Sequence, residues 1–119
     1  MSGDQYHLPS IEAAGALAAL SAGRVLLVDV RKPDAVARSG RAIAGAVQRD
    51  PFTLGHRDPL TRSRRVIVTF CVHGHEVSRF ACALLLLHGV DARYVAGGYE
   101  ALVAAGAATR PLDAMEGEG

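Results

Sequence analysis

The residues best suited to covalent chemistry lie in the segment VIVTFCVHGHEVSRF, residues 66–80. An apolar run ends there in a single cysteine, Cys71, and Gly74 then stands between two histidines, His73 and His75. A cysteine thiolate is a strong nucleophile, and a histidine can carry positive charge beside it or beside an anionic substrate. These residue types in this order predict nucleophilic thiol chemistry on an anion-binding loop.

The chain around Cys71 predicts a buried strand, a loop and a helix. Residues 66–70 form a mainly apolar run, as expected of a parallel strand covered on both faces, and a helix restarts near Ser78 and stops at Gly89. Open α/β sheets bind ligands at the carboxyl ends of such strands, so Cys71 is predicted at the mouth of a site. Because Gly74 can take a positive φ, the loop can turn backbone N–H groups toward one spot, which favours an anion and a thiolate.

The sequence also allows other roles for these residues. Cys71 could be a small buried hydrophobe, and His73 and His75 could simply reach into solvent. The same three side chains could ligate a metal ion, but a clear fourth ligand is lacking, so no metal site is predicted. Cys82 lies among apolar residues of the predicted helix, where a thiol stays protonated and inert, and we assign it to the core. Both cysteines are expected to be reduced.

Length and composition exclude several classes of protein. The chain has 119 residues, half of them apolar, and a formal net charge of +1, which predicts a single globular domain without a broad basic face for nucleic acid. The first ten residues lack a secretory pattern, and the longest apolar segment falls well short of the roughly 20 residues of a membrane span. We therefore expect a cytoplasmic protein without membrane or nucleic-acid partners; its oligomeric state is not predicted.

Strand and helix patterns alternate along the chain, which predicts an α/β fold. A first helix is expected over residues 11–20, with Ser10 as its N-cap and Gly23 as its end. The final ten residues, RPLDAMEGEG, have no apolar period and predict a frayed tail. The remaining elements are predicted as strands over residues 25–30, 42–48 and 92–97 and a short closing helix over residues 98–106.

Four segments carry a resemblance to a known family: VLLVDVR, IAGAV, FCVHGHEVS and YVAGGYEAL. With them the chain resembles the rhodanese-like family of single-domain sulfurtransferases. In that family they correspond to a core strand, to an Ile-Pro-Gly-Ala segment, to the active-site strand and loop, and to a strand, a Gly-Gly turn and a helix. In IAGAV, Ala44 stands for the family's proline, and in YVAGGYEAL, Leu102 stands for its usual tryptophan.

The resemblance covers residues 9–105 and leaves residues 1–8 and 106–119 as terminal extensions. It implies an α/β domain with a five-stranded parallel sheet and helices on both faces. The segment RAIAGAVQRDP, taken together with the cysteine loop, is further similar to a subgroup found alone or attached to chromate-resistance regulators.

The resemblance also implies an activity. The Cys71 thiolate would take sulfane sulfur from a donor such as thiosulfate and pass it to cyanide, a small thiol or a protein thiol. No cofactor is implied, because the cysteine alone forms the covalent intermediate. Asp29, Arg31 and Arg79 are assigned supporting roles, with Arg31 expected to pair with an acid such as Asp34. The implied active-site loop consists of Val72, His73, Gly74, His75, Glu76, Val77 and Ser78.

One departure from the family leaves other functions open. Many members carry an arginine at the position of Glu76, where it helps to hold an oxyanion, and the next arginine here is Arg79. Phosphatases and arsenate reductases of the same fold use a Cys-x5-Arg loop, which this chain lacks. A non-catalytic module that binds an anion or a partner, and a redox sensor that uses Cys71, are the further alternatives.

Overall fold

The computed structural model describes residues 8–54, 58–74 and 76–112. Strands and helices alternate along these ranges. The strands are β1 (Ser10–Ile11), β2 (Val25–Asp29), β3 (Arg41–Ile43), β4 (Ala46–Gln48), β5 (Val66–Phe70), β6 (Ala92–Val95) and β7 (Thr109–Pro111). The α-helices are α1 (Ala13–Ser21), α2 (Pro33–Ser39), α3 (Glu76–Leu87) and α4 (Gly98–Ala104), and a short 3-10 helix covers Pro59–Arg62.

Five of the strands form one parallel sheet in the order β1-β6-β5-β2-β4. The apolar strands β2 and β5 lie next to each other in its interior, with Leu27 in register with Val68. Continuous apolar runs suit this position because parallel strands are covered on both faces. The predicted α/β fold with a five-stranded parallel sheet is confirmed.

Helices cover both faces of the sheet, and each face has its own apolar core. Leu27 and Val68 belong to the core shared with α1 and α4, whereas their neighbours Val28 and Ile67 belong to the core shared with α3. This alternation follows from the two-residue period of a strand. Cys82 of α3 is completely buried in the second core, which confirms its assignment.

The predicted start of α1 is wrong. Ser10 does not cap the helix; it lies in β1, in register with Tyr94 of β6, and Glu12 stands at the N-cap position without a side-chain cap hydrogen bond. The local sequence suits a cap, but the free edge of β6 offers backbone partners that a local pattern cannot reveal.

The predicted strand over residues 42–48 is two strands. Gly45, with φ of 88°, turns the chain between β3 and β4. Whereas β4 joins the main sheet, β3 pairs with β7 as a separate antiparallel pair. The expected frayed tail is therefore wrong for residues 110–112, since Arg110 and Pro111 lie in β7 and the Leu112 N–H donates to the Gly40 carbonyl at 3.0 Å.

Helix α2 was not predicted, although its ends carry ordinary signals. Pro33 occupies the first turn, and Gly40 closes the helix in the left-handed region at φ of 69°. All of its residues are at least partly exposed, so it lacks the apolar stripe that marks a helix in a sequence. In the part of the chain that the structure describes, the helices are all too short or too polar to cross a membrane.

Candidate active site

Cys71 follows β5 directly and is held between that strand and the first turn of α3. Its residue is 7% exposed, and its thiol donates a hydrogen bond to the Ser78 hydroxyl at 3.2 Å. The Thr69 hydroxyl donates to the carbonyl of Ser78 at 2.9 Å, so strand and helix are tied together beside the thiol. The sulfur atom is thus fixed by regular elements on both sides.

The loop after Cys71 turns its first carbonyl groups toward α4. The Tyr99 N–H donates to the Cys71 carbonyl at 2.7 Å, and the Glu100 N–H donates to the Val72 carbonyl at 3.3 Å. In a trans peptide the N–H points opposite to the carbonyl, so the N–H groups of Val72 and His73 point away from α4. The loop therefore has the backbone polarity expected of an anion-binding site.

Close packing against α4 depends on glycines. Gly74 and Gly98 have φ of 75° and 63°, and the loop lies directly against the Gly97–Gly98 turn. A Cβ at Gly74 would lie 2.6 Å from the Gly97 nitrogen, and one at Gly98 would overlap the Cys71 carbonyl oxygen. The Gly-Gly turn thus lets α4 approach the cysteine loop.

Cys71 opens into a cleft of about 440 Å³, which we call the cysteine cleft. The cleft is lined by Arg31, Lys32, Ala35, Arg38, Cys71, Val72, His73, Glu76 and Val77. Of its three cationic side chains, Arg31 and Arg38 are paired with carboxylates at 2.7 and 3.5 Å, whereas Lys32 forms no ion pair with a described residue. Glu76 supplies the carboxylate of the lining.

Sequence reasoning missed Lys32 and Arg38 because it looked for cations near Cys71 in the chain. The sequence K-P-D-A-V-A-R, with a proline in the first turn, was the available signal that a helix would carry Arg38 two turns after Lys32. The position of that helix relative to the sheet follows only from the strand order.

The predicted loop is shorter than expected, because α3 begins at Glu76 rather than near Ser78. Glu76, Val77 and Ser78 are therefore helical: Glu76 and Val77 line the cleft, and Ser78 is buried against the thiol. The side chain of His73 is 58% exposed, with Nδ1 at 3.7 Å from Glu100 Oε1.

His75 lies outside the described residues. The alternative metal set that included it with Cys71 and His73 therefore has no geometry to assess. Among the residues that are described, no three His, Cys, Asp or Glu side chains are grouped closely enough to hold a metal ion.

One predicted ion pair is wrong, and one predicted supporting cation lies away from the cleft. Arg79 is exposed and its guanidinium lies 5.6 Å from the Tyr94 ring centroid, so it is not among the residues that line the cysteine cleft. Arg31 does not pair with Asp34, because Asp34 lies one turn before Arg38 and pairs with it at 3.5 Å on the surface of α2.

Arg31 instead forms a buried ion pair with Asp29 at the carboxyl end of β2. Its Nη2 lies 2.7 Å from Asp29 Oδ2, its Nε donates to both carboxylate oxygens at 3.0 Å, and both side chains are 1% exposed. The guanidinium also donates to the Arg41 carbonyl at 3.0 Å and lies 4.3 Å from the Tyr99 ring centroid. The pair thereby joins β2, β3 and α4 beneath the cleft.

The second cysteine has a different environment. Burial raises the pKa of Cys82 from 9.0 to about 11, an effect that the charge of Arg93 opposes. Cys82 is therefore a neutral thiol at physiological pH.

Comparison with known proteins identifies a matching family model. A family model described as "Rhodanese-like domain" matches residues 12–105. No curated protein sequence matches the chain.

Several solved structures share the fold. A protein of unknown function from Rhodopseudomonas palustris, named as a possible tyrosine phosphatase, superposes with a TM-score of 0.73 at 23% identity and covers 87% of this chain and 85% of its own. A rhodanese-related protein from Thermoplasma volcanium gives 0.70 at 22% identity, covering 86% and 97%. A thiosulfate sulfurtransferase from Pseudomonas aeruginosa gives 0.74 at 23% identity, covering 88% of this chain and 20% of that one.

Proposed function

The chain belongs to the rhodanese-like domain family, and on that premise we propose that it transfers sulfane sulfur through a persulfide on Cys71. The observation that carries the proposal is the position of the thiol. It lies at the carboxyl end of β5, hydrogen-bonded to Ser78 and open to the cysteine cleft, which Lys32 also lines. A nucleophilic cysteine that accepts and releases one sulfur atom needs little beyond this arrangement.

In the first half of the reaction the Cys71 thiolate attacks the sulfane sulfur of a donor such as thiosulfate. The S–S bond of thiosulfate breaks, sulfite leaves with the electron pair, and the enzyme carries a persulfide. In the second half an acceptor such as cyanide attacks the outer sulfur, thiocyanate leaves, and the electron pair returns to Cys71 Sγ. The cycle balances without an external oxidant or reductant.

Residues of the cleft support both anionic states of the cysteine. The Ser78 hydroxyl accepts from the thiol and can rotate to donate to a thiolate, since a hydroxyl is both donor and acceptor. The N–H groups that point away from α4 can stabilise the negative outer sulfur of a persulfide. The charge of Lys32 offsets the carboxylate of Glu76, and Arg38 is balanced by Asp34, so a thiosulfate dianion does not meet an anionic site.

The neighbour named as a possible tyrosine phosphatase raises a second chemistry for the same fold. A Cys-x5-Arg phosphatase loop would place its arginine at position 77, where this chain has Val77, and Glu76 precedes it. A tetrahedral phosphate therefore lacks the bidentate clamp that an arginine supplies. Sulfur transfer, which depends on the backbone cradle, is the better match.

The test is the intact mass of the protein after incubation with thiosulfate and again after cyanide. We expect one added sulfur, located on the peptide that contains Cys71, and its loss as thiocyanate when cyanide is added. Cys71→Ser should gain no sulfur, whereas Cys82→Ser should still be loaded. Robust hydrolysis of an aryl phosphate by the unmodified protein, lost in Cys71→Ser, would instead establish the phosphatase.

A further inference from the structure

A second, larger cavity adjoins the cysteine cleft. It measures about 760 Å³, and we call it the apolar cavity because most of its lining surface is apolar, with Pro33, Val36, Ala37, Pro51, Phe52 and Val77 among its lining residues. Asp29, Gln48, Arg49 and Asp50 also line it. Thiosulfate and cyanide do not need this space. Cavities of this size with mainly apolar walls and few polar groups are typical of sites for organic ligands.

The apolar cavity and the cysteine cleft share a wall. Arg31, Lys32 and Val77 line both, so a ligand that fills the larger space can reach the smaller one across Lys32 and Val77. Phe52, which lines the apolar cavity, is 69% exposed, and its ring lies beside that of Phe80, with centroids 5.2 Å apart. A largely exposed aromatic ring that lines a cavity can cover an apolar ligand at little loss of conformational entropy.

The charges around the apolar cavity are unequal. Arg49 is paired with Asp58 at 2.8 Å, and the Asp50 carboxylate accepts from the Phe52 N–H at 2.9 Å. Lys32, on the shared wall, is exposed and forms no ion pair with any residue that the structure describes. Asp50 likewise forms no ion pair with a described residue, but of these two side chains only Lys32 also lines the cysteine cleft. An anionic group on a ligand is therefore favoured at Lys32, at the junction of the two spaces, and disfavoured beside Asp50.

We propose that the physiological sulfur acceptor is an organic thiol with an apolar or aromatic body and an anionic group. Its body occupies the apolar cavity, its anionic group lies at Lys32, and its thiol reaches the outer sulfur on Cys71. This inference rests on the proposed function and specifies its acceptor. The acceptor thiolate attacks the outer sulfur, the bond between that sulfur and Cys71 Sγ breaks, the electron pair returns to Sγ, and the acceptor leaves as a persulfide.

The test compares acceptors that differ only in the apolar body. Persulfide-loaded protein is mixed with 3-mercaptopropanoate or with 2-benzyl-3-mercaptopropanoate, and the loss of the added sulfur is followed by mass. The two thiols have similar reactivity and charge, so the ratio of their reaction rates measures the contribution of the apolar cavity. We expect the benzyl compound to react about tenfold faster or more, the scale on which apolar pockets discriminate.

Variants assign that preference to the cavity. Ala37→Phe fills the apolar cavity from α2 and should remove most of the preference, whereas Ala14→Phe, on an exposed position of α1, should leave the ratio unchanged. Lys32→Gln should reduce the advantage of 2-benzyl-3-mercaptopropanoate over its neutral amide. Equal rates for the two thiols in the unmodified protein, or a preference that survives Ala37→Phe, would overturn the inference.

A binding measurement separates this inference from the proposed function. 2-Benzylbutanoate, in which a methyl group replaces the thiol, should bind to the unmodified protein in ligand-observed NMR and not to Ala37→Phe. If it binds while thiosulfate adds no sulfur to Cys71, the proposed function fails and the cavity remains a site for apolar anions. If the persulfide forms and 2-benzylbutanoate does not bind, the inference fails and sulfur transfer stands; a protein thiol then becomes the acceptor to test.

Discussion

At the scale of single residues, the two cysteines show how surroundings divide one residue type into two chemical classes. Cys71 ends β5 and opens into the cysteine cleft, whereas Cys82 is completely buried in α3. This division could be predicted from sequence, because glycine and histidine follow one cysteine and alanine and leucine surround the other. The contact between Cys71 and Ser78 could not, since it depends on how α3 is seated on the sheet.

Iodoacetamide at neutral pH should modify Cys71 and spare Cys82 in the folded protein. Burial raises the pKa of Cys82 to about 11, so the reactive thiolate is scarce there, and the side chain is also inaccessible. Peptide mapping after short labelling times measures both sites. In denaturant the two cysteines should react at similar rates, which is the control; equal rates in the folded protein would contradict the assignment of Cys71 as the nucleophile.

At the scale of elements, the approach of α4 to the cysteine loop makes the Gly-Gly turn part of the site. The N–H groups of Tyr99 and Glu100 hold the loop carbonyls, and they can do so only because Gly74 and Gly98 lack side chains. An element that supplies no nucleophile therefore determines how the loop presents its own N–H groups.

Gly98→Ala should lower the rate of sulfur transfer by at least about tenfold and destabilise the fold by about 2 kcal/mol, because a Cβ there overlaps the Cys71 carbonyl oxygen. Gly23→Ala is the matched control: Gly23 has a similar φ of 73°, but a Cβ at that position would have no other atom within 4 Å. It should show only the smaller effect of a positive φ, with normal sulfur transfer. Rates and denaturant midpoints that are the same for both variants would show that close packing is unimportant.

Elements with strong local signals were predictable and elements that depend on distant partners were not. The apolar runs of β2 and β5 and the length of α3 identify them directly. β1 is two residues long and exists through its pairing with β6, and β7 exists through β3. The cations of the cleft show the same limit, since Lys32 and Arg38 line one cleft with Cys71 only through the strand order that brings α2 to this part of the sheet.

At the scale of the whole molecule, the buried pair of Asp29 and Arg31 connects parts that are distant in the chain. It joins the end of β2 to the Arg41 carbonyl and to the Tyr99 ring, so both the sheet and α4 depend on it. Such a pair adds little stability compared with apolar side chains of similar size, but removing one partner leaves a buried charge without a counter-charge.

Arg31→Ala should therefore reduce the free energy of unfolding by about 3–5 kcal/mol, which denaturant unfolding measures. Arg38→Ala, which breaks the exposed pair with Asp34, should change it by less than about 1 kcal/mol. Asp29→Asn combined with Arg31→Met should recover part of the loss, because the uncompensated carboxylate is gone. A loss for Arg31→Ala no larger than that for Arg38→Ala would mean that the pair does not support the fold.

The strand order also constrains how the chain can fold while it is being synthesised. β1 has its sheet partner in β6, more than 80 residues later, and the central pair β2 and β5 is separated by about 40 residues. When only residues 1–60 have left the ribosome, β2 and its partner β4 are present, but β6, the partner of β1, is not. The sheet closes only when residues 92–95 emerge, so until then the nascent chain must keep its apolar strands from pairing with other partners.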